Sequence, residues 1–321
     1  MLLFAGNPII SLNLSVMAKI GHSVTQFSVG MASFHQWPTE LQFLHELTHL
    51  SLSDIPFQFW DSSAFRGLKN MLSLNVVGSN FRKVPNAVCT LSTLISLQID
   101  NNYISNESKS GVFEPCSDIA DTPNNTTINY HNNRVDYFPN ILTVFPTLKY
   151  MFMSSNGMRY MNADNFTENV SVLTIDLSDN QFRQIPSGLN TFKNLTSLTL
   201  DHNVIEFIED NDLIGLRSLK EIHLAGNPIQ SITPRAFHNN MKLTYVDVSQ
   251  TFLTSIPAAV TTLPSLHTLR LEANAIKCTC GLARFGMNWG WNASSIQIDR
   301  LCYQSSAPIA LFIKTNSRCS T

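Results

Sequence analysis

The chain has 321 residues, 14% of them charged, with a formal net charge of −2. That density is well below the quarter or so usual for a globular protein, and the near balance argues against a general polyanion binder or a nucleic-acid partner. Asn, Ser and Thr carry the surface polarity instead, and no stretch approaches the ~18 consecutive apolar residues of a membrane helix.

Met1–Ala5 is apolar, but no positive charge precedes it and Asn7-Pro8 interrupts the run, which disfavours a secretion leader. Phe4-Ala-Gly-Asn-Pro-Ile9 instead aligns without a gap on Leu224-Ala-Gly-Asn-Pro-Ile229. The chain thus reads as starting inside a repeat, as an incomplete gene model would, with a frayed first coil and no N-terminal cap.

From there one rule governs the chain: Leu-x-x-Leu-x-Leu-x-x-Asn-x-Ile/Phe. Units begin at Val24, Leu47, Met71, Leu94, Asn125, Leu148, Val172, Leu195, Leu219, Leu243 and Leu266. The starts are 23 or 24 residues apart, except for 31 between Leu94 and Asn125. A fixed period of this length means a solenoid. Within Leu195-Thr-Ser-Leu198-Thr-Leu200, apolar residues alternate with polar ones, the period of a strand. Counting the first residue of each unit as position one, position nine is Asn at 102, 133, 156, 180, 203, 227 and 274. An Asn amide both donates and accepts, so it can satisfy turn backbone buried between coils. Ala32, Ile55, Ser79 and Thr251 depart from this, and looser turns are expected there.

A second apolar pattern marks the far side of each coil, as in Phe65/Leu68/Met71 and Val260/Leu263/Leu266. Apolar-Pro pairs at Val84-Pro85, Phe138-Pro139, Ile185-Pro186 and Ile256-Pro257 stop the strand from continuing. Short helical turns or extended segments are expected there, not long helices.

Two segments invite other readings. His45-Glu-Leu-Thr-His49 is a literal H-E-x-x-H, the zinc-protease spacing that works when a helix puts both His on one face. The same residues obey the repeat rule, which sends His49 into a strand, so coincidence is the preferred account and no metal, cofactor or catalytic residue is assigned. The insertion Ser105–Asn124 contains Cys116, and Cys89 lies on the outer arc of the preceding unit. A disulfide between them is expected; two buried free thiols are the competing reading.

After the last unit, Cys278-Thr-Cys280 is followed by Leu282, Phe285 and Trp289 at helical spacing, then by Cys302 and Cys319. A zinc site with four cysteine ligands is the alternative that cysteine count alone allows.

Nearly the whole chain resembles the leucine-rich repeat family, and Cys278 to Cys319 resembles the cysteine-flanked C-terminal cap of its extracellular members. The resemblance implies an α/β solenoid, a horseshoe with a parallel concave sheet and few short helices. It also implies the pairing Cys278–Cys302 and Cys280–Cys319. The expected organisation is residues 1–277 as about 11–12 repeats, the first truncated and with the insertion at 105–124, followed by the cap at 278–321. Six cysteines in three pairs place the protein in an oxidising compartment, outside the cell or on its surface. Asn-x-Ser/Thr acceptors are little more numerous than the abundance of these residues produces by chance. Asn106, Asn124, Asn165, Asn194 and Asn292 lie where a glycan would fit.

Strand alternation sends positions three, five, seven and eight to the concave face. That face carries Asp54, Asp100, Asp176, Asp179, Asp201, Glu221, Asp247 and Glu272, against Arg270 alone among the Lys and Arg residues. Tyr150 and Phe152 share one strand, with His131 and Asp176 on its neighbours. An acidic wall steers a basic partner, and exposed aromatics serve as binding hot spots. The expected ligand-binding residues are therefore Tyr150, Phe152, Asp176, Asp179, Asp201, His223, Tyr245, Asp247 and His131. A solvated face with a structural Asp247–Arg270 pair is the competing account. Protonation of His49, His131, His202 and His223 below about pH 6 would cut the negative charge.

The leading reading is a non-enzymatic module binding a basic protein or peptide, the ectodomain of a receptor whose membrane segment would come after the chain. A secreted structural or inhibitory repeat protein is the alternative, and a metalloprotease through His45 and His49 a remote third.

Overall fold

The structure is a computed structural model that describes residues 1–4, 6–58, 63–84, 86–105, 126–161, 171–280, 282, 297–298, 301–305 and 307–315. The chain divides into two compact units, Met1–Met158 and Arg159–Thr321.

Unit 1 is built on seven parallel strands in chain order. These are β1 (Leu2–Phe4), β2 (Gln26–Gly30), β3 (His49–Ser53), β4 (Ser73–Val77), β5 (Ser96–Gln98), β6 (Thr127–Asn129) and β7 (Tyr150–Phe152). The register repeats the sequence period, with Ser73 opposite Ser96, Ser96 opposite Thr127 and Thr127 opposite Tyr150. Leu2–Phe4 pairs with Phe27–Val29, which is where the repeat alignment of the first residues puts it. The segment between them forms a seven-residue helix, α1 (Leu14–Ile20), whose N-cap Asn13 accepts from Val16 N–H.

Unit 2 repeats the plan with β8 (Thr174–Asp176), β9 (Ser197–Thr199), β11 (Glu221–His223), β13 (Tyr245–Asp247), β14 (Thr268–Arg270) and β15 (Gln297–Ile298). On another side, β10 (Phe207–Ile208) and β12 (Ser231–Ile232) pair as a separate two-stranded sheet. The repeat rule gives no hint of β15. It comes from beyond the last unit and extends the sheet, Thr268 standing opposite Gln297.

Positions one, four and six of the repeat build the core. Leu195, Leu198 and Leu200 are fully buried, as are Leu219, Ile222 and Leu224. Each such side chain contributes roughly 1.5–3 kcal/mol by leaving water. Tyr130 is the one aromatic residue at position six of the described units; it too is wholly buried, and burial pushes its hydroxyl well above the ordinary tyrosine range.

The turns after the strands are the most regular feature. Position eight has positive φ in every described coil, at Met31, Asp54, Gly78, Asn101, Asn132 and Ser155 in unit 1, and at Asp179, His202, Gly226, Gln250 and Ala273 in unit 2. Position nine then points inward. Asn227 Nδ2 donates to Leu200 O at 2.8 Å in the preceding coil and to Leu224 O at 3.0 Å in its own. Its Oδ1 accepts from Ile205 N–H at 3.1 Å. Asn102, Asn133 and Asn203 repeat these contacts. The expected looser turns at Ala32, Ile55, Ser79 and Thr251 are not found. These residues are buried and follow the same left-handed residue. Packing of the small or apolar side chain replaces the amide bonds, and Thr251 Oγ1 recovers one by donating to Val248 O.

The outer arcs carry short 3₁₀ turns at Thr39–Phe43, Asn86–Thr90, Ser187–Thr191 and Ala258–Thr262, and one helical turn, α2 (Ile141–Val144). Pro38, Pro186 and Pro257 stand at the N-caps, where a missing N–H costs nothing. In the C-terminal segment, Cys278 is bonded to Cys302, and α3 (Ile309–Thr315) buries Ile309 and Ile313. Cys89 and Cys280 are also disulfide-bonded. Their expected partners Cys116 and Cys319 lie outside the described residues, as do Phe285, Trp289 and most of the insertion.

Replacing Asn227 by Ala should lower unfolding free energy by about 2–4 kcal/mol, because carbonyls and an amide of two coils lose their partner together. Urea denaturation followed by circular dichroism measures this, and a loss below ~1 kcal/mol would mean that water replaces the amide.

Candidate functional site

The outward strand positions of the two units differ in chemistry. In unit 1, position five carries Ser28, Ser51, Asn75, Gln98 and Asn129, with Asn75 Nδ2 donating to Gln98 Oε1 at 2.8 Å. Asp54 and Asp100 are the charged residues at its described outward positions. On β7, Met151 is buried, so its neighbours Tyr150 and Phe152 must point out. Tyr150 is 39% exposed, and the His131 ring stands 6.2 Å from that of Phe152.

In unit 2 the outward positions hold Asp176, Asp179, Asp201, Glu221, Asp247 and Glu272, with Arg270 the one Lys or Arg among them. His223 and Tyr245 face each other across adjacent strands with ring centroids 4.8 Å apart. Tyr245 Oη donates to Asp247 Oδ2 at 3.3 Å. Arg270 Nε approaches the same oxygen at 3.9 Å, and its Nη2 reaches Glu272 Oε2 at 3.1 Å. The structural Asp247–Arg270 pair therefore exists, set within an array of His223, Tyr245, Asp247, Arg270 and Glu272.

Several of these groups also hold the backbone together, which alternation alone does not reveal. Where the strand ends, the N–H of position seven needs an acceptor. Asp100 Oδ1 takes it from His131, and Asp201 Oδ1 from Ala225, each one coil further on. His131 Nδ1 does the same for Ser154 N–H at 3.2 Å, and Ser249 Oγ for Glu272 N–H at 3.1 Å. Asp176 and Asp247 serve the N–H groups of Ser178 and Ser249 within their own coils, each at 2.9 Å. Asp176, Asp201 and Asp247 are thus partly committed, Asp247 being only 9% exposed. Asp179 and Glu221 are exposed. Recurrence of short acceptors at positions five and seven was the signal for this role.

Burial sets the acidity of two of these carboxyls. Asp100 lies above its ordinary value because burial outweighs the lowering by the His131 N–H and ring. Asp201 is likewise raised by burial, with Asp247 adding to the rise while the Ala225 N–H, His223 and His202 pull the other way. Tyr245 is raised by burial first and by Asp247 second.

The H-E-x-x-H segment is not helical. Residues 45–46 form a turn, 47–48 are neither helix nor strand, and His49 opens β3 with Nδ1 2.8 Å from Thr48 Oγ1. Its two histidines do not share a helical face. Among the described residues no three His, Cys, Asp or Glu gather as a metal would need. Asn194 is exposed on the outer side of its coil, while Asn106, Asn124, Asn165 and Asn292 lie outside the described residues.

Comparison with known proteins agrees with this architecture. A leucine rich repeat family model matches residues 174–229 and 217–276. Mouse podocan is 31% identical over 118 residues, covering 36% of this chain and 19% of podocan. Mouse vasorin is 29% identical over 132 residues, covering 40% of this chain and 16% of vasorin. The chain thus spans under a fifth of these relatives' length. Among solved structures, a leucine-rich repeat protein of Leptospira interrogans superposes with a TM-score of 0.67 at 19% identity, covering 92% of this chain and 82% of that one. A chain from the octameric complex of Latrophilin 3, Unc5D and FLRT2 superposes at 0.66 and 16% identity, covering 88% and 89%.

The double duty of Asp201 is separable by substitution. Asp201→Asn keeps an oxygen for the Ala225 amide and removes a charge that burial disfavours, so stability at neutral pH should hold or rise. Asp201→Ala should cost about 1–2 kcal/mol. Because the folded carboxyl holds its proton to higher pH than the unfolded one, wild type loses stability as pH climbs through that window; the Asn variant should lose less. Thermal melts between pH 3 and 8 (roughly the carboxylate range and above) test both statements.

Proposed function

We infer that this leucine-rich repeat protein with a cysteine-stapled C-terminal segment is a recognition module, the ectodomain of a cell-surface receptor, and that its ligand is a basic protein or peptide. The observation that carries the reading is the outward face of unit 2, where six carboxylate side chains are accompanied by the single guanidinium of Arg270. Such a face speeds the encounter with a cationic partner and rejects an anionic one. Exposed Asp179 and Glu221 contribute to steering, and the adjoining, tilted rings of His223 and Tyr245 offer an aromatic contact for a guanidinium or an apolar side chain. In unit 1, Tyr150 and Phe152 provide an aromatic anchor of the kind interfaces use. The disulfide-bonded state of Cys89, Cys278, Cys280 and Cys302 supports an extracellular location. No helix among the described residues is long and apolar enough to cross a membrane. A secreted structural or inhibitory protein would present this same face without being tethered to a membrane. No catalytic role is assigned to any residue.

A ligand recovered by cross-linking from culture medium or cell surfaces and then purified provides the test. Tyr150→Ala with Phe152→Ala should weaken its binding at least about thirtyfold, the loss of one hot spot. Asp179→Lys with Glu221→Lys should cut the association rate about tenfold, and high salt should do the same to wild type. A dissociation constant indifferent to both pairs and to salt would sink the reading.

Acidification should weaken the same complex. Protons taken up by the raised carboxyls of Asp100 and Asp201 move the face toward positive charge. Surface plasmon resonance at about pH 7.5 and 5.5 reads this directly; equal affinity at both would mean that charge does not govern the contact.

A further inference from the structure

His45 belongs to the H-E-x-x-H segment, yet its structural partner is not His49. His22 and His45 both stand two residues before position one of their units, at Val24 and Leu47, so the solenoid stacks them one coil apart. Both side chains are exposed, with ring centroids 5.9 Å apart and ring planes inclined at 42°. A metal held by two imidazole nitrogens at about 2.0–2.1 Å sets the ring centres roughly 4.5–5 Å apart at square-planar cis and tetrahedral angles, so movement of these exposed rings by about an ångström brings two nitrogens onto one ion.

The backbone under the pair is fixed. Glu46 N–H donates to Gly21 O, and Asn70 Nδ2 donates to His45 O at 3.0 Å. Gly21 lies so close to the neighbouring coil that a Cβ there would clash with Phe43 O, which leaves no room for a larger residue. A preformed backbone lowers the ordering cost of chelation.

We propose that His22 and His45 form a two-histidine site for a late first-row divalent ion, Cu2+ in preference to Zn2+, as imidazole ligands and the stability order of these metals dictate. No third His, Cys, Asp or Glu among the described residues completes the site. Water, or a donor from a bound partner, takes the remaining positions. Neither histidine occupies an outward sheet position used in the functional reading, so the site stands or falls independently of it.

The test is isothermal titration of the full chain, free of any polyhistidine tag, with Cu2+ and then Zn2+ at neutral pH. One Cu2+ should bind, and His22→Gln or His45→Gln alone should weaken it by at least the roughly tenfold that loss of a mere supporting contact costs. His49→Gln should leave the affinity unchanged. Bound Cu2+ should raise the melting temperature of wild type and not of the double variant. Circular dichroism confirms that these exposed substitutions leave the fold intact. Equal titrations of wild type and the double variant would overturn the proposal, and so would loss of the site on His49→Gln with His22→Gln silent.

Discussion

The stacking depends on one recurring bond set, an amide at position nine that donates to carbonyls of two successive coils and accepts an N–H from one of them. Asn102, Asn133, Asn203 and Asn227 each tie their own coil to the one before it. A coil of some two dozen residues with a three- to five-residue strand cannot bury its apolar edge alone. The amide lets a buried turn keep its polar backbone satisfied while leucines of adjacent coils close over it. The left-handed residue before it aims the amide inward. That conformation is strained for a side chain other than glycine, and the hydrogen bonds it makes possible offset the strain.

The same regularity positions the face. Because the strands align at equivalent positions, each outward position becomes a row: a neutral polar row in unit 1 ending at Tyr150 and Phe152, and a carboxylate-rich one in unit 2. Charge sparse in the chain as a whole is concentrated where the sheet of unit 2 meets solvent. That concentration, rather than any pocket, gives the functional reading its direction.

Much of this was legible in the sequence because the repeat fixes direction. Leu198 and Leu200 must face inward if Ser197 and Thr199 face out, and the leucine spacing alone says so. The period also exposed the H-E-x-x-H segment as strand entry rather than helix. What the period could not supply was partners. Asp201 and Asp247 fall at outward positions of the repeat, but their hold on Ala225 N–H and Ser249 N–H depends on where the short strands end. Gln297–Ile298 obeys no repeat rule and joins the sheet by backbone pairing, which leaves little trace in side chains. Ala32, Ile55, Ser79 and Thr251 look like weak turns by composition, yet packing from both sides imposes the same turn on them.

The commitment of Asp100, Asp201 and Ser249 to neighbouring amides divides the outward positions into two kinds. Position three, at Tyr150, Glu221 or Thr268, projects beyond a closed backbone ladder, and an altered side chain there leaves the scaffold alone. Asp100, Asp201 and Ser249 at position seven cannot drift so freely, since an exchange there must keep an acceptor for an end-of-strand amide. New specificity on this scaffold is therefore cheapest along a single column, one residue per coil, and a designer or a diverging lineage would find its freedom there first.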